Sequence, residues 1–140
     1  MAGLNIKSDV TDGWNEIKMV ASGLRYTIFK MDEKKENVVM EKKKMITECC
    51  HDDVLDDLPT DEPRYVALNL DYKNEEGAER SKLVLIFWCP DNCGIKNKMV
   101  SAATFKEVMK KCPGGAKCLE IQDRFDLSFE ALKEKLKNVK

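Results

Sequence analysis

Apolar residues recur with helical spacing in some stretches of this chain and with strand spacing in others, and the switches between the two mark out its elements. Val10, Trp14, Ile17 and Ala21 fall every three or four residues, which places them on one face of a first helix. The side-chain oxygen of Ser8 or Asp9 would cap its opening amides, and Gly23 would stop it. Residues 25–31, rich in aromatic and β-branched side chains, predict a strand, and a shorter one over 37–40 follows the charged turn 32–36. Residues 47–58 predict a short helix with Val54, Leu55 and Leu58 inward, acidic residues in water and Pro59 as its end. Strands over 65–72 and 83–88, joined by the polar loop 73–79, predict antiparallel neighbours.

The run Leu83 to Trp88 has no polar face, so helices should cover both sides of the sheet that holds it. A helix over 96–111 carries an apolar stripe at Phe105, Val108, Met109 and Cys112. Met99 lies about 120° away from Phe105 and Val100 farther round, at 100° per residue. Either the helix bends near Ser101 or Thr104, or Met99 and Val100 stand partly exposed; both outcomes suit a contact surface. After Pro113-Gly114-Gly115, residues 117–122 predict an edge strand. The last helix starts at Ser128 as N-cap, with Leu127 stapled onto Leu132, and buries Leu132, Leu136 and Val139. This order of elements indicates one compact α/β domain over residues 1–140 with a mostly antiparallel or mixed sheet.

With 24 basic and 25 acidic residues in 140, the chain is close to neutral, so attraction to DNA or RNA is not expected. Basic character is local: between Lys96 and Lys111, five lysines stand against one glutamate. No apolar run approaches the ~20 residues of a membrane span, and Met1-Ala2-Gly3-Leu4-Asn5 lacks the pattern of a signal peptide, so a cytoplasmic protein is expected. The six dispersed cysteines then read as reduced thiols. Cys49-Cys50-His51 and the Cys89/Cys93 interval invite comparison with zinc sites, but only one interval fits and no second cluster accompanies it. His51 sits beside Asp52 and Asp53 with no nucleophile arranged around it, and Pro113-Gly114-Gly115 is a turn rather than a phosphate loop. A thiol or zinc enzyme is therefore the disfavoured reading; no enzyme, cofactor or metal is expected.

Leu58-Pro59, Arg64-Tyr65, Leu70-Asp71-Tyr72, Arg80-Ser81-Lys82, Phe87-Trp88-Cys89-Pro90-Asp91, Lys96-Asn97-Lys98-Met99 and Ala102, together with Trp14-Asn15-Glu16-Ile17-Lys18, stand in one order and spacing. In this the chain resembles the actin-depolymerising factor/cofilin family over nearly its whole length. The resemblance implies the ADF-homology fold, a central mixed, mostly antiparallel sheet sandwiched between helices, in a monomeric protein of the actin cytoskeleton. It implies a first surface for actin monomers and filaments, comprising Ala2, Gly3 and Leu4 with Lys96, Lys98, Met99 and Lys106 of the long helix. It implies a second, filament-specific surface carrying Arg80, Lys82, Glu134 and Lys135. Severing, depolymerisation and competition by phosphoinositide head groups for the same lysines follow from it. Nuclear entry stays open, because Lys42-Lys43-Lys44 is too short to decide it.

The chain departs from the family pattern in three places. Ala2 precedes Gly3 where the family usually has a phosphorylatable Ser. Ser101 and Phe105 replace a usual Tyr and Lys, with Lys106 restoring the charge one step round. Cys93-Gly94 replaces Ala-Pro before the long helix. The narrower rival is a relative resembling coactosin, which decorates filaments without severing them.

Overall fold

The computed structural model describes residues 5–19, 23–34, 36–47, 53–73, 75–112 and 117–137, the side chains of Arg80, Leu136 and Lys137 excepted. The strands are β1 (Asn5–Ile6), β2 (Leu24–Met31), β3 (Asn37–Met45), β4 (Arg64–Lys73), β5 (Glu79–Trp88) and β6 (Lys117–Ile121). The helices are α1 (Ser8–Lys18), α2 (Val54–Asp57), α3 (Ile95–Lys111) and α4 (Phe129–Lys137), with short 3-10 turns at Asp91–Cys93 and Arg124–Leu127. The strands form one sheet in the order β1-β3-β2-β4-β5-β6. Its three inner pairings are antiparallel, and the outer pairs β1/β3 and β5/β6 are parallel. The sheet is therefore mixed and mostly antiparallel, as expected.

Alternation along β5 divides the core. Leu85 and Phe87 join Val10, Trp14 and Ile17 of α1 and Phe105 and Val108 of α3. Val84, Ile86 and Trp88 join Val54 of α2 and Leu127 and Leu132. Helices thus cover both faces, which is what a strand with no polar side requires. Ser128 caps α4 as expected: its Oγ accepts from the Ala131 amide at 3.2 Å, while Leu127 and Leu132 are buried in the same cluster.

Besides β5, which begins at Glu79, four residues before the expected start at Leu83, three expectations need correction. First, β3 runs on to Met45, five residues past the expected end at Met40, because β2 supplies a ladder as far as Leu24↔Met45. Its lysines are tolerated there since Lys42 pairs with Asp57 and Lys43 with Glu16, each at 2.9 Å. Second, neither Ser8 nor Asp9 caps α1. Lys7 occupies the N-cap without a side-chain bond, and the Asp9 carboxylate instead accepts from the Met40 amide at 2.9 Å, fastening α1 to β3. Third, α1 ends at Lys18, and Gly23, at φ 71°, leads into β2 rather than closing the helix. The helix expected over 47–58 is seen only as α2, since residues 48–52 lie outside the described part. Ala21 and Val139 lie outside it too, as does the Leu136 side chain.

Candidate functional site

α3 is held by one face and open on the other. Phe105 is only 4% exposed and stacks against Phe87 and Tyr65, with ring centroids 5.1 and 6.0 Å away. Burial holds the Tyr65 phenol above its ordinary pKa, so it stays protonated and donates to the Ser101 carbonyl at 2.8 Å. Ser101 and Thr104 are buried, and their hydroxyls bond back to the carbonyls of Asn97 and Val100. Small hydroxyl side chains therefore fill the seam where the apolar stripe falls out of register. The exposure branch of the sequence reading holds for Met99, and Val100 packs partly against the core.

The open face is built around Ile95, 78% exposed, and Met99, 69% exposed. Exposed Ala102 and Lys106 continue the same ridge. Lys96 projects about 60° to one side of Met99 and Lys98 about 100° to the other, at 100° per residue. Lys98 is half-buried and pairs with Asp91 at 3.5 Å, a contact worth under about 1 kcal/mol at so exposed a site. Asn97 ties the first turn down by donating to the Cys93 carbonyl at 2.8 Å. The N-cap, Gly94, has φ 87°, a conformation closed to proline. The chain therefore approaches α3 by a route that the usual Ala-Pro could not follow. β1 touches α3, and Ala2, Gly3 and Leu4 lie outside the described residues.

The other four sequence-predicted residues lie across the sheet. Arg80 stands in β5 opposite Tyr72, and Lys82 opposite Leu70. Lys82 is half-buried, whereas Glu134 and Lys135 on α4 are exposed. Between the β4–β5 hairpin and α4 opens a groove of about 710 Å³, lined by Asp71, Tyr72, Lys73, Ser81, Phe129 and Lys133 among others. Asp71 is anchored in turn by Arg25 at 2.9 Å. Sequence reasoning missed these lining residues, because nothing local in either segment signals that the hairpin and the last helix meet. Among the described residues no group of three or more His, Cys, Asp or Glu is placed to hold a metal ion.

A sequence profile of the cofilin/tropomyosin-type actin-binding proteins matches residues 3–137. The chain belongs to the actin-binding ADF/cofilin family. It is 32% identical to actophorin of Entamoeba histolytica over 99% of both chains. Among solved structures, actin depolymerization factor 2 of Plasmodium berghei superposes with a TM-score of 0.84 at 27% identity, covering 99% of each chain. Human coactosin-like protein shares the fold, with a TM-score of 0.84 at 19% identity over 98% of this chain and 100% of that one. Membership of the family makes actin the partner, and no helix of the described residues is long and apolar enough to cross a membrane.

Proposed function

We propose that this protein binds actin monomers and filaments, severs and depolymerises the filaments, and does so by contact alone, without an enzymatic step. The observation that carries the reading is the ridge of α3. Two large apolar side chains, Ile95 and Met99, stand in solvent on a helix whose opposite face is locked into the core, with lysines on both flanks. An apolar ridge supplies contact area in a partner's groove, and the flanking charges steer it toward acidic surface and set its register. Ala2, Gly3 and Leu4 complete this surface, with Lys96, Lys98, Met99 and Lys106.

Arg80, Lys82, Glu134 and Lys135 form the second surface, reserved for the neighbouring filament subunit. Support for this division is the position of α3 and α4 on opposite faces of the sheet. A single domain that grips two subunits at once can favour one filament twist over another, which weakens the contacts between subunits. Phosphoinositide head groups compete for the lysines of α3. With Ala2 before Gly3, phosphorylation at that position is not the control. The protein works as a monomer in the cytoplasmic actin cytoskeleton.

Time-resolved imaging of single filaments tests the reading directly. Addition of the protein should raise the number of filament ends and shorten the filaments. Decoration with no new ends would replace severing by the coactosin-like mode, and absence of binding would remove the proposal.

A further inference from the structure

The Cys89/Cys93 interval, too isolated for a metal site, brings two buried sulfurs together. Cys89 follows β5, and Cys93 closes the 3-10 turn before α3. The Cys93 amide donates to the Pro90 carbonyl at 3.2 Å, so the chain doubles back and the two Sγ atoms lie 3.5 Å apart. A disulfide needs about 2.05 Å, an approach of roughly 1.5 Å between side chains already facing each other. The loop is closed by the backbone before any bond forms, so little chain entropy remains to be lost.

Beside the pair lies a cavity of about 130 Å³ between α3 and β6, with Phe87, Cys89, Lys98 and Glu120 in its wall. At ~30 Å³ per water molecule it has room for several molecules of that size. Hydrogen peroxide, little larger than water, fits; a tripeptide disulfide does not. Cys89 is in the wall of this space, and Cys93 is reached from it through the 3.5 Å contact between the sulfurs.

We propose that Cys89 and Cys93 are an oxidisable pair, in which a peroxide entering the cavity oxidises Cys89 and Cys93 closes the disulfide at the foot of α3. In the first step the Cys89 sulfur attacks one peroxide oxygen and the O–O bond breaks. Cys89 becomes a sulfenic acid, and the departing hydroxide leaves as water with the thiol proton. In the second, the Cys93 sulfur attacks the Cys89 sulfur and the S–O bond breaks. Hydroxide again leaves as water, carrying the Cys93 proton. Two thiols and one peroxide thus give one disulfide and two waters.

Burial pushes the Cys89 thiol up to about 11, the neighbouring Cys93 adds to the rise, and the Ser101 hydroxyl and Lys98 ammonium partly oppose it. Glu120 from β6 and Asp91 from the turn are the carboxylates nearby. The thiolate is therefore scarce at neutral pH, and oxidation gains about tenfold per pH unit below that value. The new bond would tie β5 to the residue before Gly94, whose left-handed φ starts α3. None of these steps depends on actin.

The test treats the full chain with hydrogen peroxide, alkylates the remaining thiols and maps peptides by mass spectrometry. Expected are a single disulfide joining Cys89 to Cys93 and slower amide exchange in the first turn of α3. With the resolving thiol removed, C93A should accumulate sulfenic acid on Cys89, trapped by dimedone about tenfold more than in the native chain; C93S serves if circular dichroism shows C93A unfolded. Recovery of both cysteines alkylated at a dose that oxidises the exposed Cys118 would overturn the proposal. So would a bridge from either to another cysteine, or equal dimedone labelling of native and variant chains.

Discussion

Met99→Ala separates contact from stability on α3. Fully burying a methionine side chain is worth about 1.5–3 kcal/mol. Met99 is 69% exposed in the free protein, so that share of the gain, about 1–2 kcal/mol, is left for a partner to realise. Its loss raises the Kd for monomeric actin about 5- to 30-fold. Because most of the side chain already stands in solvent, the free energy of unfolding should move by less than about 0.5 kcal/mol. Phe105→Ala, six residues along the same helix, is the control. It removes a ring packed between Tyr65 and Phe87 and should cost about 3–5 kcal/mol of stability. Fluorescence titration of labelled actin monomers reads the first effect, and urea denaturation of the free protein reads the second. Native affinity in Met99→Ala, or a stability loss comparable to that of Phe105→Ala, would refute the assignment of Met99 to a partner.

Four further outcomes are expected. Lys96→Ala with Lys98→Ala weakens binding to both monomers and filaments, whereas Arg80→Ala with Lys82→Ala spares monomers; co-sedimentation beside monomer titration shows whether the two surfaces divide in this way. Gly94→Ala forces a side chain into φ 87°, ψ 153°, with open space around it, so denaturation should show a loss of about 1–3 kcal/mol from backbone strain alone. Ser128→Ala removes the acceptor for the Ala131 amide and should cost about 1 kcal/mol in the same measurement. Burial raises the pKa of Asp57, but the Tyr26 hydroxyl and Lys42 ammonium more than offset it and hold the carboxyl below its ordinary value of 3.8. That stability is present above 3.8 and lost as the pH falls through the lower folded value, so acid titration of Asp57→Asn should show a shallower loss below about pH 4 than the native chain.

What the sequence made legible followed from how local each signal was. The six-residue apolar run of β5, the Ser128 cap with its Leu127–Leu132 staple and the stripe ending at Cys112 are written in neighbouring residues, and all appear as expected. The strand expected over 37–40 stops short of Lys42, Lys43 and Lys44, whose three charges carry no strand pattern. They extend β3 because Asp57 and Glu16, distant in sequence, neutralise two of them. Asp9 looked like a cap for the same local reason, and a β3 amide outcompeted the helix for it. β1 was missed altogether, since two residues pairing in parallel with Asn37 and Val38 leave no periodicity to detect. At the candidate site the family resemblance pointed to Lys96, Lys98, Met99 and Lys106 of α3 but not to Ile95, which opens the ridge one residue before the expected start of the helix. The sequence could not show that Gly94 adopts a left-handed backbone or that a groove opens between the β4–β5 hairpin and α4.

The alternation of β5 makes the molecule a laminate. Leu85 and Phe87 belong to one lamina, and Ile86 and Trp88 to the other, with the strand's own backbone as the only ply between them. Substitutions in the two laminae that lie more than about 10 Å apart should add, whereas neighbours along β5 itself share a backbone and should couple. An engineer, or natural variation, can therefore retune the α3 side and the α4 side as separate parts.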